Sequence, residues 1–292
     1  MYGVKAKLKG VIKITKPAVV TLLAFTAIAS AIVAYGSITV FFYMPFVLAL
    51  ISVVTGAAGA EAVTAYTDRD IDRIMERTNK RPVPSGTISG VTALIVGLVL
   101  ISTSIIFAVA VSLLVTVLIL IALVDNIVVY SLWLKRSSRW NIVLGGICGG
   151  IPVLMGWASV TGSLSWASLF LAMLVIVWIP IHIWSFSIEY MEDYQKASIP
   201  MFPLTIKTVK KSMVCVGMAG MVIAIFPILA YFAGIGSYLF LAISTLMGLI
   251  TIALSISLIM KPAKKNAKHL FIFSNIYLFI VFVALIIPFL RY

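Results

Sequence analysis

Of the 22 lysines and arginines in the chain, all but Arg291 fall in five short patches, at residues 5–16, 69–81, 135–139, 196–211 and 261–268. Between the patches run long apolar stretches, and 62% of all residues are hydrophobic. Crossing a bilayer core takes roughly 20 apolar residues. On that criterion nine spans are predicted, at 17–35, 43–67, 89–108, 110–134, 141–160, 165–190, 208–233, 236–260 and 269–289. The even-numbered connections (68–88, 135–140, 191–207 and 261–268) are basic, whereas the odd ones, near Gly36, Ala110, Gly162 and Gly234, carry no charge. That alternation predicts a cytoplasmic N-terminus and cytoplasmic basic loops. The expected fold is an all-α integral membrane bundle forming one domain over 1–292, with a basic segment at 1–16. The net charge of +13 is then a topology signal, and no nucleic-acid partner is expected. The first apolar stretch reads as a retained span that starts at Lys16-Pro17. Cys148 and Cys215 lie in apolar segments without ligand spacing, so neither a disulfide nor a thiolate metal site is expected.

The nine acidic residues are the second constraint. Asp68, Asp70, Asp72 and Glu76 are bunched after the second span, with Glu61 two turns upstream. If the helix continues, Thr64, Asp68, Asp72 and Glu76 share one face. Like charges at that spacing repel, so positive charge must lie between them. Arg69, Arg73, Arg77, Lys80 and Arg81 are interleaved, which allows either a salt-bridged helix end or a metal-bridged diphosphate site. Glu189, Glu192 and Asp193 form a second cluster at the end of the sixth span. Glu61 and Asp125 lie within spans, where a carboxylate faces a cavity or a partner. Two acidic clusters at one membrane face, flanked by basic loops, suit an enzyme that acts on an isoprenyl diphosphate. A cation-coupled transporter could use the same acids, although no internal repeats support it.

Several segments resemble the UbiA superfamily of intramembrane prenyltransferases, nearest to its haem-farnesylating branch. Asp68-Arg69-Asp70-Ile71-Asp72 with Arg77-Thr78-Asn79-Lys80-Arg81-Pro82 is similar to the family's NxxxDxxxD and RTxxRP signature. Thr15-Lys16-Pro17, Tyr130 to Arg136, Gly145 to Trp157, and Pro180-Ile181-His182-Ile183-Trp184 resemble further motifs in order. Glu192-Asp193-Tyr194 through Pro203 resembles the second signature, DDYxxAGIPMLP.

The resemblance implies a nine-helix bundle around a lateral cavity, set in the cell membrane with its active-site loops, 68–88 and 191–207, at the cytoplasmic face. It implies Mg²⁺ held by Asp68, Asp72, Glu192 and Asp193, with Asp68, Asp72 and Asp193 catalytic. Thr64, Arg77, Lys80, Arg81, Lys135, Arg136, Tyr194 and His182 are the implied substrate-binding residues. The implied reaction transfers a farnesyl group from farnesyl diphosphate to a vinyl group of haem B, giving haem O. Membrane lipid and haem-processing proteins are the implied partners. A quinone precursor or a lipid is the alternative acceptor for the same metal site.

The chain departs from the family pattern in three places. Thr64 stands where the family has Asn, Ala18 where it has Arg, and Ile181 where it has a second Pro. His182 reads as a haem-iron ligand, an acid/base group or a polar residue packed against Trp184.

Overall fold

The computed structural model describes residues 2–206 and 208–290. Among them, nine helices are long and apolar enough to cross a membrane: Pro17–Tyr35, Met44–Thr67, Gly90–Val111, Leu113–Ser137, Asn141–Thr161, Trp166–Glu189, Val209–Phe232, Tyr238–Met260 and Lys264–Phe289. They agree with the predicted spans to within a few residues, with two informative differences. The fourth continues to Ser137, so Lys135 and Arg136 are the last turn of a helix rather than a loop. The ninth begins at Lys264, which places Lys264 and Lys268 on a helix facing the second acidic cluster. Between spans three and four no strong breaker is visible in the sequence. There Ser112 turns the chain, extended at φ −172° and ψ 162°, and its side chain caps the next helix at Val115 N–H.

Spans two and three pack most closely, because small residues let their backbones meet. A Cβ on Gly59 would come within 2.9 Å of the Gly97 carbonyl oxygen, and one on Gly97 within 2.9 Å of the Gly59 oxygen. Apolar lipid offers no hydrophobic drive for helix association, so such close backbone contact carries it. Outward positions such as Ile95, Leu98, Val99 and Ile106 stay exposed, as the lipid-facing side of a span requires.

Two irregularities position the polar end of the bundle. The second span breaks at Asp68 (φ −92°, ψ 2°) and resumes as the short helix Arg69–Ile74. The fourth span is wound as a π-helix over Val124–Leu134, a widened form that recurs at functional sites. That winding brings Ser131 and Lys135 to face the end of span two. The fifth span is also broken, at Gly145–Gly150, and there the buried Asp125 accepts the Cys148 N–H at 2.8 Å.

Candidate active site

The first acidic signature keeps its helical register across the break. Asp68 N–H donates to the Thr64 carbonyl at 2.9 Å and Asp72 N–H to the Asp68 carbonyl at 2.8 Å, so the three side chains follow one face. The register ends at Met75, which is extended, and Glu76 turns away. Glu76 is exposed and pairs with Lys196 at 2.6 Å, so the expected four-residue face has three members. Asp68 and Asp72 are both buried. Asp68 pairs with Lys135 through Oδ2, and Asp72 accepts Arg81 Nη1 on both oxygens at 3.0 Å. Thr64 is buried as well, its hydroxyl donating back to the Ala60 carbonyl at 2.8 Å.

The second signature reaches the first through backbone. Asp193 accepts the Glu76 and Arg77 N–H groups at 3.0 and 3.1 Å, one on each carboxylate oxygen. It clasps the loop that presents Arg77, whose guanidinium lies over the Phe186 and Tyr190 rings at 4.8 and 5.3 Å. Tyr194 is buried beside it, and burial pushes its phenol up to about 12.

Behind these groups a cavity of about 510 Å³ runs into the bundle. Asp68, Asp72, Arg77 and Lys135 line one end, and His182, Trp178 and Ile183 line its apolar part. The His182 ring is held on both faces, by Trp178 at 4.4 Å and Phe271 at 4.6 Å. Its Nδ1 lies 2.9 Å from the Ser274 hydroxyl, which leaves Nε2 without a protein partner among the described residues. Glu61 also lines the cavity, paired with Lys16. The sequence placed Glu61 on the site's face, but Lys16 read only as a helix start, because a contact between residues 45 apart has no local signature.

Four sequence candidates do not line the cavity: Asp193, whose carboxylate is turned to the Glu76 and Arg77 amides, and three others. Glu192 is 76% exposed and pairs with Lys264, Arg136 forms an exposed fork on Asp70 at 2.7 and 2.8 Å, and Lys80 is exposed beyond the cavity wall. Helical periodicity cannot report this, because Arg136 and Glu192 lie in short helical turns at the end of a span or beyond a break, and Lys80 in the turn that follows, where side-chain direction is set by tertiary contacts.

The UbiA prenyltransferase family profile matches residues 22–284. The chain belongs to that family. It is 40% identical to a protoheme IX farnesyltransferase of Thermoplasma volcanium over 94% of this chain and 95% of the relative. Among solved structures it is similar to digeranylgeranylglyceryl phosphate synthase, with a TM-score of 0.77 at 20% identity over 98% of this chain and 99% of the other. It is also similar to a UbiA homologue from Archaeoglobus fulgidus bound to GPP and Mg²⁺, with a TM-score of 0.62 at 16% identity over 94% and 99% of the two chains.

For a UbiA prenyltransferase, the donor set fits a divalent ion held jointly with substrate. Asp68 Oδ1 is buried and has no hydrogen-bond partner, an orphan that a cation would satisfy. No three acidic, His or Cys side chains converge among the described residues, because Asp193 is occupied by amides and Glu192 points outward. Two carboxylates completed by phosphate oxygens are the usual arrangement for Mg²⁺.

Asp70 gives a contrasting expectation within the same signature. The Arg136 hydrogen bond holds its carboxyl down at about 2. Its contribution is therefore complete above the ordinary carboxylate range and fades as pH falls through about 2. The pair is solvent-exposed, so Asp70→Asn should change activity less than about fivefold and stability by about 0–1 kcal/mol. Parallel assays and thermal unfolding against the parent check this. A loss as large as at Asp72 would place Asp70 in the chemistry.

Proposed function

We propose that this chain transfers a farnesyl group from farnesyl diphosphate to a vinyl group of haem B, giving haem O, at the cytoplasmic face of the cell membrane. The observation that carries the reading is the single cavity shared by Asp68, Asp72 and His182. One end binds a diphosphate and its metal, and the other offers a fixed imidazole in apolar surroundings. A protoheme IX farnesyltransferase at 40% identity supports the haem acceptor.

Asp68 and Asp72 would hold Mg²⁺, with diphosphate oxygens completing its shell, which supplies charge neutralisation for the leaving group. Lys135 and Arg81, paired with those carboxylates in this structure, are free to turn to phosphate oxygens once the carboxylates are engaged. Arg77, fixed over two rings, takes a further phosphate oxygen without reorganising. The C1–O bond of the farnesyl group breaks with its electron pair leaving on diphosphate. The allylic cation is attacked by the vinyl π-bond, which forms the new C–C bond and moves the charge to the carbon beside the porphyrin. Water captures that carbon and releases a proton. Tyr130, Phe186 and Trp178 line the cavity, and aromatic rings there favour positive charge over bulk water. His182 would hold the acceptor through Nε2, the ring nitrogen left without a protein partner among the described residues.

Mass spectrometry of haems from a host expressing the chain tests the reaction. The expected result is haem carrying the added hydroxyethylfarnesyl mass. A prenylated quinone precursor or lipid with unmodified haem would replace the acceptor. Orientation has its own test, because the basic loops share one end of the bundle. Cysteines introduced at 79, 85 and 195 should all be labelled from the cytoplasmic side only. Labelling from opposite sides would separate the two signatures and end the shared-site reading.

A further inference from the structure

A second cavity, of about 260 Å³, opens beside the first and has a different character. Its lining includes Lys13, Lys16, Arg77, Lys80 and Arg81, with Asp72 as the only carboxylate, and its far wall is the stiff Pro82–Pro84 turn. Lys16, Asp72, Arg77 and Arg81 also line the main cavity, so the two spaces meet along a shared rim. Two of these cations already have carboxylates: Arg81 holds Asp72 and Lys16 holds Glu61. Lys13, Arg77 and Lys80 have none among the described residues, and Arg77 Nε is buried without any hydrogen-bond partner. The main cavity, by contrast, nearly balances Lys16, Arg77, Arg81 and Lys135 against Glu61, Asp68 and Asp72.

Uncompensated positive charge therefore collects in the smaller cavity, where like charges raise the local potential and attract anions. The arrangement is held in place rather than incidental. Lys13 lies in the last turn of the N-terminal helix Tyr2–Ile14, and a Cβ on Gly10 of that helix would come within 2.7 Å of Ile88 from the 68–88 loop. Lys16, on the shared rim, is kept at φ 45°, a left-handed conformation that a lysine adopts only when its surroundings impose it.

A prenyl diphosphate clamped at Asp68 and Asp72 accounts for the cations of the main cavity, Arg77 and Arg81 included, and leaves Lys13 and Lys80 unused. We propose that the smaller cavity is a second anion subsite that receives the carboxylates of the acceptor, the propionate arms of haem. This rests on the haem reading above. A ring seated in the apolar part near His182 can send flexible acid arms across the shared rim, whereas its hydrocarbon edge has no place among lysines. Lys13 and Lys80, both lining the subsite, are then specificity residues for an acidic porphyrin.

The test uses the purified full chain and compares equilibrium binding of ferric haem B with that of its dimethyl ester, which lacks the charges. Lys13→Gln and Lys80→Gln should each weaken haem binding about threefold to tenfold. Binding of the ester should be unchanged by either substitution. The KM for farnesyl diphosphate and inhibition by inorganic diphosphate should both stay within about twofold in Lys13→Gln. If acid and ester weaken alike, or neither weakens, the subsite assignment is overturned. It is equally overturned if the diphosphate constants move instead, which would assign the cavity to free or departing phosphate. The two readings fail separately: a parent chain that prefers the acid over the ester but makes no farnesylated haem loses the reaction and keeps the subsite. One that farnesylates haem with no acid preference does the reverse.

Discussion

Asp68→Asn and Asp72→Asn should each lower turnover by about a thousandfold while leaving expression and helix content unchanged. The size follows from what the amide removes. Each carboxylate supplies negative charge to a metal that must neutralise a departing diphosphate, and an amide oxygen is a far weaker ligand for a hard cation. Expression survives because both side chains sit at a helix end beside cations, so the neutral amide leaves Lys135 or Arg81 unpaired at a polar rim rather than in lipid. Asp193→Asn acts by another route. It spoils one of the two backbone hydrogen bonds that clasp the Arg77 loop, a local cost of about 1–3 kcal/mol. Added Mg²⁺ should therefore leave the Asp193 variant's deficit unchanged, and proteolysis between residues 76 and 82 should quicken in it alone. Asp68 and Asp72 variants that turn over without divalent metal would sink the diphosphate clamp.

His182→Ala should abolish haem-dependent turnover, by at least about a hundredfold, and remove any haem absorbance that copurifies. Binding of farnesyl diphosphate should be intact, because the imidazole lies in the apolar part of the cavity, away from the carboxylates. The ring is clamped by Trp178, Phe271 and the Ser274 hydroxyl, which fixes Nε2 as the nitrogen left for an acceptor. Removing Ser274 alone tests that geometry: Ser274→Ala should weaken haem binding about threefold to tenfold through ring orientation, with no effect on the diphosphate. A quinone or lipid acceptor predicts no haem effect from either substitution. If the alanine variant at 182 farnesylates haem at the parental rate, the histidine is a packing residue.

Much of this protein was legible as a string of letters. Nine spans follow from composition and spacing because a bilayer forces every crossing to be a long apolar helix whose backbone bonds are local. The basic loops and two acidic clusters are local too, and the family resemblance of their motifs is what singles out Asp68, Asp72, Asp193 and Arg77 in the sequence. What the letters could not say is where each charge goes once helices end. Asp193 meets backbone amides, Glu192 meets Lys264, Arg136 meets Asp70, and Lys16 meets Glu61. These partners lie far apart in the chain, and features such as the break at Asp68 and the π-helical turn at Val124–Leu134 that set where such side chains emerge have no local charge signature. Helix formation is a matter of neighbours in sequence, so sequence determines it. Pairing of long charged side chains across helices depends on packing distances and turn directions, and only the tertiary structure decides those.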